Sequence, residues 1–382
     1  MDHRVWNGSC PTIFPLGRFQ LSATRILVGC YVLLYLFAVR YYRLTSYRDP
    51  TSFFFDPSRA DTRQYSTKRI AEAEAFLSSA DTVKPPSKLP GGQTPAICVG
   101  IVTVRRRGEQ YVGLTVASLL DVETLPDRLL VYTEDNPDFT QLTEWEEGGW
   151  YRNKTIYDFT ALMMQCYDSG AQYIAMLEDD TLAAKGWLPS TLQALETIQT
   201  RTAYASQDWI YLRLFYIDGL LGWNSEEWPR YLTWSFLTWA SLTGAMLLLK
   251  QRRKPLRNLP PSAIYLTSCI FIPSLILLHF LAGRQTTWPL SAGVHEMNKY
   301  GCCSQGLVFP RSIIPQFLEQ TDLTTDWLVD MMVEKIADKE GWTRWAVVPP
   351  VVQHIGATSS KGYGFDDSAR RIWNFRFEDY VD

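Results

Sequence analysis

The sequence lacks three features that identify common classes of protein. Its 37 lysine and arginine residues are matched by 40 aspartate and glutamate residues, giving a net charge of −3, so it has no overall basic field that would attract nucleic acid. It contains no internal repeat and no low-complexity segment. Residues 1–25 hold no apolar stretch followed by a small-residue cleavage site, so we expect no removed signal peptide.

The composition instead favours a folded protein rich in aromatic side chains. Hydrophobic residues make up 46% of the 382 residues, which is enough for a sizeable core. Aromatic residues reach 14% and include 14 tryptophans. Such side chains suit surfaces that meet sugar rings or a membrane interface, and composition alone does not separate these two uses.

A first apolar run, Ile26–Val39, predicts a membrane anchor near the N-terminus. The run contains 14 residues without a charge, between Arg25 and Arg40. A bilayer requires roughly 20 residues, although flanking arginines and tyrosines extend the reach of such a helix. We assign residues 26–42 to the anchor and residues 1–25 to a cytosolic tail, and a buried core helix is the alternative.

Two further uncharged runs, Tyr231–Leu249 and Ala263–Ala282, predict a transmembrane hairpin over residues 231–282. The loop between them, residues 250–262, holds five basic residues and no acidic one. The positive-inside rule therefore places this loop in the cytosol. Both flanks of the hairpin must then face the same, non-cytosolic compartment.

This topology predicts one lumenal domain that the hairpin divides. Its first part is residues 96–230 and its second part is residues 283–382. A lumenal stem over residues 43–95 precedes the domain, with a helix predicted at Thr67–Ser79. A linker rich in proline and glycine, residues 84–92, separates the stem from the domain.

The lumenal segment alternates strand and helix patterns, which predicts an α/β fold with a parallel sheet. The predicted strands are Ile97–Thr103, Leu129–Tyr132 and Tyr173–Leu177. Helix faces are predicted at Val112, Val116, Leu119 and Leu120, and at Phe159, Leu162, Met163 and Cys166. In a βαβαβ order the crossovers are right-handed, and ligands bind at the carboxyl ends of the strands.

The third predicted strand ends in three consecutive acids, Glu178, Asp179 and Asp180. Three carboxylates so close repel one another unless water or a cation compensates them. Oxygen ligands of this kind suit Mg²⁺ or Mn²⁺, which can in turn hold a diphosphate. A solvated loop start is the alternative, but Thr103 and Asp135 also lie at predicted strand ends, so polar side chains converge at one edge of the sheet.

Four cysteines, Cys98, Cys166, Cys302 and Cys303, fall in the segments predicted to be lumenal. An even number in an oxidising compartment permits disulfides, while Cys98 and Cys166 could equally be free core thiols. The adjacent pair could bridge each other or pair elsewhere, and its spacing does not match a zinc site. Asn153 begins an Asn-Lys-Thr sequon and is a possible N-glycosylation site.

Several motifs together resemble a known family. The matching pieces are the triplet Glu178-Asp179-Asp180, residues 209–216 and 222–223, the hairpin, Cys302-Cys303, residues 353–356 and Ser359-Ser360. The anchor, the Rossmann-like domain and the acidic strand end are similar to GT-A glycosyltransferases. The hairpin that divides the domain resembles the post-GPI-attachment N-acetylgalactosaminyltransferases. The Glu-Asp-Asp and His-Ile-Gly pieces also resemble the N-acetylglucosaminyltransferase IV group.

The resemblance implies an enzyme of the Golgi membrane with a GT-A domain, split by the hairpin, in the lumen. Its activity would be inverting transfer of N-acetylgalactosamine from UDP-GalNAc to a mannose of a glycosylphosphatidylinositol (GPI) glycan, with Mn²⁺ or Mg²⁺ as cofactor. The acceptor would be a GPI-anchored protein or a GPI glycolipid. Two alternatives are an N-acetylglucosaminyltransferase that acts on N-glycans and a non-catalytic membrane scaffold with a degenerate fold.

The resemblance also implies roles for individual residues. Glu178, Asp180 and His354 would hold the metal, although Glu178 could act through water and His354 could instead be a packed core histidine. The residues that would meet the nucleotide and its diphosphate are Thr103, Arg105, Asp135, Lys154 and Asp179. Trp223 and Trp327 could stack on sugar faces of the acceptor, or could pack as ordinary aromatic side chains.

Inverting transfer needs one carboxylate to take the proton of the acceptor hydroxyl. Asp326 and Asp330 are spaced i, i+4, which predicts that they share one face of a helix. The buried face of that helix would be Val329, Met332, Val333 and Ile336. Asp326 resembles the base of inverting GT-A enzymes and is the preferred candidate, while one of the two could instead cap the helix N-terminus.

Overall fold

The structure, a computed structural model, describes residues 23–79, 95–103, 109–120, 138–253, 259–299, 301–323, 327–356 and 372–380. Within these residues the helices are α1 (Ala23–Thr45), α2 (Pro57–Ala60), α3 (Tyr65–Ser79), α4 (Val112–Leu120), α5 (Phe139–Glu147), α6 (Tyr151–Asp168), α7 (Trp187–Ala205), α8 (Trp228–Arg252), α9 (Pro261–Leu266), α10 (Ile272–Leu281), α11 (Arg284–Thr287), α12 (Ile314–Glu319) and α13 (Val329–Glu340). The strands are β1 (Ile97–Val102), β2 (Tyr173–Glu178), β3 (Thr181–Ala183), β4 (Trp209–Arg213), β5 (Gly293–Glu296), β6 (Gly306–Pro310), β7 (Thr343–Val348) and β8 (Val352–His354).

The chain forms two compact units. The first comprises Met1–Tyr41 and Arg230–Leu278, and the second comprises Tyr42–Pro229 and His279–Asp382. The second unit is thus assembled from two pieces of sequence, and the segment between them belongs to the first unit.

The helices that could cross a membrane agree with the three predicted spans. Thr24–Thr45, Asp218–Arg252 and Pro261–Leu281 are each long and apolar enough. α1 continues past Arg40 to Thr45, so the anchor has the length that its apolar run alone lacks. The chain is therefore a membrane protein.

Aromatic contacts hold the helices of the first unit together. Tyr31 of α1 stacks on Phe271 with ring centroids 3.8 Å apart, and its hydroxyl lies 2.5 Å from Ser274 Oγ. The Trp239 indole of α8 donates to the Ser268 carbonyl at 2.7 Å. Ser268 belongs to a π-helical segment between α9 and α10, where backbone bonding departs from the α-helix and a side-chain donor can satisfy a carbonyl.

The second unit is built on a six-stranded sheet of order β1-β2-β6-β4-β7-β5. β1 is parallel to β2, and β4 to β7, whereas β6 is antiparallel to both β2 and β4, and β5 is antiparallel to β7. The prediction of a parallel sheet is therefore wrong, because the sheet is mixed. A strand that runs parallel to its neighbour needs a long crossover connection, usually a helix. β6 is instead preceded by a loop that ends at Gln305. The predicted strand Leu129–Tyr132 lies outside the described residues.

Alternate side chains of β2 pack on the two opposite faces of this sheet. Tyr173, Ala175 and Leu177 join a buried cluster with residues of α7. Ile174 and Met176 join a second cluster, built with α6, α12 and α13. The predicted buried faces of α6 and α13 are confirmed at Phe159, Leu162, Met163, Cys166, Val329, Met332, Val333 and Ile336. Helices therefore cover both faces of β2, as the uninterrupted apolar strand requires.

The predicted face of α4 is wrong apart from Leu119. The buried residues of α4 are Thr115, Ala117, Ser118 and Leu119. Val112, Val116 and Leu120 are only partly buried. The buried face is polar because the Thr115 and Ser118 hydroxyls bond to the chain that follows β2.

The segment predicted as a stem packs into the second unit. α3 begins at Tyr65, and its Arg69 is fully buried. The Arg69 guanidinium donates to the carbonyl oxygens of Ala183 at 2.9 Å and Ser118 at 2.7 Å. A buried charge needs such partners, so polar contacts fix α3 to α4 and β3. The predicted linker at residues 84–92 lies outside the described residues.

Two disulfides are present among the described residues. Cys98 of β1 bonds to Cys166 of α6, which ties the edge strand to the helix that covers it. Cys302 bonds to its neighbour Cys303. Cys303 adopts a φ of +92°, a backbone region that side chains other than glycine rarely occupy. The chain just before β6 is therefore a constrained turn.

A buried ion network holds this turn in place. Arg213 of β4 donates to the carbonyl oxygens of Cys302 at 2.5 Å and Cys303 at 2.6 Å. It also donates to Glu334 of α13 at 2.6 Å, and Arg344 of β7 donates to the other oxygen of Glu334 at 2.5 Å. The network joins β4, β7 and α13 to the turn that leads into β6.

We expect Arg213→Met to lower the free energy of unfolding by about 3 kcal/mol, because it leaves the largely buried carboxylate of Glu334 with one cation fewer. Lys339→Met is the matched control, because Lys339 is an exposed cation of the same helix, α13, and its loss should cost less than about 0.5 kcal/mol. Thermal unfolding of the full chain in detergent would compare the two variants. Equal losses would show that the network does not stabilise the unit.

Candidate functional site

The acidic triplet lies at the carboxyl edge of the sheet. Glu178 is the last residue of β2 and pairs with Val102 of the parallel strand β1. Thr103 follows β1 directly, and its hydroxyl donates to Asp179 Oδ2 at 2.8 Å. The structure therefore brings Thr103 to the triplet. Arg105 and Asp135, the other residues expected at this edge, lie outside the described residues.

The piece of chain after the hairpin holds Glu178. Ser304 Oγ donates to Glu178 Oε1 at 2.5 Å, and Gln305 Nε2 lies 3.2 Å from Oε2. Burial, together with the nearby negative charge of Asp180, raises the pKa of Glu178 to about 7. The sequence reasoning missed Ser304 and Gln305, although their position directly after the cysteine pair was a usable signal.

Asp180 faces the histidine of the His-Ile-Gly motif. β3 and β8 form a two-stranded antiparallel sheet in which Thr181 pairs with His354. In this register Asp180 accepts a backbone bond from Ile355 at 2.9 Å, and its Oδ2 lies 3.5 Å from His354 Nε2. The two predicted metal contacts from distant parts of the chain are therefore neighbours.

Both nitrogens of the His354 ring face an acceptor. Nδ1 lies 3.2 Å from the Ile372 carbonyl oxygen and Nε2 faces Asp180, so a neutral ring would turn one lone pair toward an oxygen. A second proton or a bound cation removes this conflict. Burial alone would lower the pKa of His354, but the negative charges of Asp180 and Glu178 outweigh it and raise that pKa.

Gly356 allows Asp180 to approach the His-Ile-Gly backbone closely. A Cβ added at Gly356 would lie 2.9 Å from Cβ and Cγ of Asp180, and closer still to Oδ2. Real Cβ atoms essentially never approach so closely, so a side chain at this position would displace the carboxylate. The glycine of the motif therefore has a steric role.

Thr115 of α4 holds the backbone of the acidic turn. Its hydroxyl proton is shared between the carbonyl oxygens of Asp179 at 2.6 Å and Thr181 at 2.8 Å, and its oxygen accepts from Thr181 N at 3.1 Å. Ser118 Oγ accepts from Ala183 N at 3.0 Å. Sequence reasoning missed both residues because it sought an apolar face on α4, yet two hydroxyl groups spaced i, i+3 were visible.

Of the two aspartates proposed as the base, the structure describes only Asp330. It lies in the first turn of α13, and its negative charge contributes to the raised pKa of Glu178, which places it near the triplet. α13 begins at Val329 with Leu328 at the N-cap, so Asp330 lies inside the helix and does not cap it. Asp326 lies outside the described residues, so its place on the same helix face stays a prediction.

Lys154 and Asn153 lie in the first turn of α6. The Lys154 ammonium is buried and pairs with Asp158 at 2.7 Å. The Asn153 amide donates to the Leu323 carbonyl at 2.7 Å. Lys154 already has a carboxylate partner, and contact with a diphosphate remains a prediction.

The two tryptophans predicted to meet the acceptor make packing contacts. Trp223 donates to the Phe280 carbonyl at 2.9 Å, and its ring lies 4.6 Å from the Phe280 ring. The Lys335 ammonium lies 3.0 Å from the centroid of the Trp327 ring. One face of Trp327 is therefore covered, and Trp223 packs at the end of α10.

The site brings together carboxylate oxygens and a histidine nitrogen, which are possible metal ligands. No group of three or more histidine, cysteine, aspartate or glutamate side chains that could hold a metal ion occurs in the part of the chain that the structure describes. Asp180 and His354 nevertheless form a facing pair, with Glu178 close enough to shift the pKa of His354. A divalent cation that binds substrate phosphates needs only one or two protein carboxylates, so these donors fit one.

Comparison with known proteins gives one match. A family model described as GPI-N-acetylgalactosamine transferase PGAP4 matches residues 118–353. The matched range is more than half of the chain and includes the acidic triplet, the hairpin and Cys302-Cys303. No curated protein and no solved structure matches the chain.

We expect Gly356→Ala to lower the free energy of unfolding by about 1–3 kcal/mol, because the methyl group overlaps Asp180. Gly113→Ala in α4 is the matched control: its added Cβ would meet only Leu77 Cδ1, at 3.8 Å. That change should stabilise α4 by up to about 1 kcal/mol. Thermal unfolding in detergent would test both, and a neutral or stabilising Gly356→Ala would contradict the steric role.

Proposed function

We propose, since the chain belongs to the family of GPI-N-acetylgalactosamine transferases, that it moves N-acetylgalactosamine from UDP-GalNAc to a mannose of the GPI glycan. The acceptor is a GPI-anchored protein or a GPI glycolipid. The observation that carries the proposal is the facing pair Asp180 and His354, directly after the strand end at Glu178, because nucleotides bind at such edges in α/β folds. The reaction takes place in the Golgi lumen.

Asp180 and His354, with Glu178, would hold Mn²⁺ or Mg²⁺. His354 Nδ1 faces the Ile372 carbonyl, and this contact orients Nε2 toward Asp180, as outer-shell carbonyls do for metal-binding histidines. The cation would neutralise charge on the diphosphate leaving group. Ser304 and Gln305 keep the Glu178 carboxylate directed into the site.

Of the two candidate bases, Asp330 is the one that lies within the described residues. In inverting transfer the acceptor hydroxyl oxygen bonds to the anomeric carbon, UDP leaves with the electron pair of the broken bond, and the hydroxyl proton passes to a carboxylate. Asp330 is partly exposed near Glu178, where an acceptor could reach it. Asp326 remains the second candidate on the resemblance to inverting enzymes.

Transfer assays on the full chain in lipid nanodiscs would test the function. We expect Mn²⁺-dependent transfer from UDP-GalNAc in preference to UDP-GlcNAc, onto a GPI mannose. Asp180→Asn should reduce transfer at least about a hundredfold, because changes to the outer shell of a metal site alone cost about 10–100-fold. Asp168→Asn, an exposed aspartate at the far end of α6, is the control. Preference for UDP-GlcNAc, or full activity of Asp180→Asn, would overturn the proposal.

Thr115 offers a test of how the acidic turn is positioned. Thr115→Val removes the hydroxyl at nearly constant volume and should lower transfer about tenfold, because buried backbone groups of the turn lose their partner. Thr115→Ser keeps the hydroxyl and should restore transfer. Thr191→Val is the control, since the Thr191 hydroxyl bonds within α7 to Trp187 O. If Thr115→Val and Thr191→Val lose the same activity, Thr115 has no positioning role.

A further inference from the structure

A buried carboxylate joins the segment that follows the third membrane span to the segment that follows the first. Asp49 Oδ2 accepts from the Thr286 backbone at 2.7 Å and from the Thr286 hydroxyl at 3.0 Å. Asp49 Oδ1 accepts from the Thr51 backbone at 2.8 Å and hydroxyl at 2.6 Å. We call residues 49–53 and 281–286 the Asp49 clasp.

Gly283 is required at the centre of the Asp49 clasp. Its φ is +93°, and an added Cβ would lie 2.8 Å from Asp49 Cγ. Beside it, the Thr51 hydroxyl accepts from Arg284 N at 2.9 Å. The backbone on both sides of Gly283 is therefore fixed against residues 49–51, which makes the Asp49 clasp a rigid element.

The Asp49 clasp presents Phe53 beside the last residue of a membrane span. Phe53 N donates to the Leu281 carbonyl at 2.8 Å, and Leu281 ends both α10 and the candidate span Pro261–Leu281. The Phe53 side chain is 76% exposed. Because this hydrogen bond fixes the Phe53 backbone, the exposed side chain stays at this position. Its contact with water is unfavourable, and its contact with an apolar medium is favourable.

Two more apolar side chains of the second unit are exposed near the ends of the spans. Leu220 is 38% exposed and Trp228, the first residue of α8, is 62% exposed. The loop that carries Leu220 is tied to the Asp49 clasp, because Gln285 Nε2 donates to Asp218 O at 3.2 Å and Trp223 donates to Phe280 O. The Leu220 loop and the Asp49 clasp therefore form one connected region.

We propose that Phe53, supported by Leu220 and Trp228, inserts into the lipid bilayer at the boundary between head groups and acyl chains. The occupant is phospholipid, since the region adjoins three membrane spans along the chain and aromatic side chains favour that boundary. The Asp49 clasp would hold Phe53 in place for this insertion.

A fluorescent probe at residue 53 tests lipid insertion without any assay of catalysis. In the full chain with Cys10, Cys30 and Cys269 replaced by serine, Phe53→Cys and Tyr204→Cys are each labelled with a small thiol-reactive dye in phosphatidylcholine nanodiscs. Tyr204 is the control, because it is 96% exposed at the end of α7. We expect brominated lipid to quench the dye at residue 53 and aqueous iodide to quench the dye at residue 204. Iodide quenching of equal strength at both positions, with none by lipid, would overturn the proposal.

A transfer assay gives the second arm, which rests on the proposed function. Phe53→Asp should lower transfer to a membrane-embedded GPI acceptor about tenfold, equivalent to about 1.4 kcal/mol, and leave transfer to a soluble GPI glycan unchanged. Phe53→Leu and Tyr204→Asp should behave as the unmodified chain. Equal loss on both acceptors would overturn the proposal, whereas absence of transfer by the unmodified chain would count against the proposed function instead.

Discussion

The structure of the second unit depends on the antiparallel pairing of β2 with β6. β2 comes before the membrane hairpin and β6 comes after it, so their backbone bonds join two pieces of sequence that the spans separate. The pairing of Leu177 with Gly306 sets the register. It delivers Ser304 and Gln305 to Glu178, and the pairing of β3 with β8 delivers His354 to Asp180 in the same way. Neither piece of sequence can build the site alone.

The carboxylates of this site are buried and close together, which is electrostatically unfavourable. Burial and mutual repulsion raise the pKa of Glu178 to about 7, and the same charges raise the pKa of His354. Shifts of this size in a cluster of titratable groups are typical of sites that bind or react. The surrounding fold compensates with hydroxyl and amide donors, and with a glycine that lets two backbone segments approach. The polar face of α4 and the fully buried Arg69 belong to the same support, because both bond to the chain that follows β2.

Local patterns in the sequence identified many of the structural elements and the acidic end of β2. The membrane spans, β1 and β2 are apolar runs, and α6 and α13 show a helical periodicity; both signals come from residues close in the chain. The acids at the end of β2 were visible as a break in an apolar run. The sequence reasoning failed on α4, where the polar residues Thr115 and Ser118 lie on the buried face that was expected to be apolar. Such failures are expected at functional positions.

The sequence by itself determined which segments are apolar, where strands end in carboxylates and which family the chain resembles, because these are properties of residues close in the chain. Only the tertiary structure decided that β6 runs antiparallel, that Cys302 bonds to Cys303, and that His354 faces Asp180. Those outcomes depend on hydrogen bonds and packing between segments more than a hundred residues apart or on the conformation of one constrained turn. Periodicity carries no information about either.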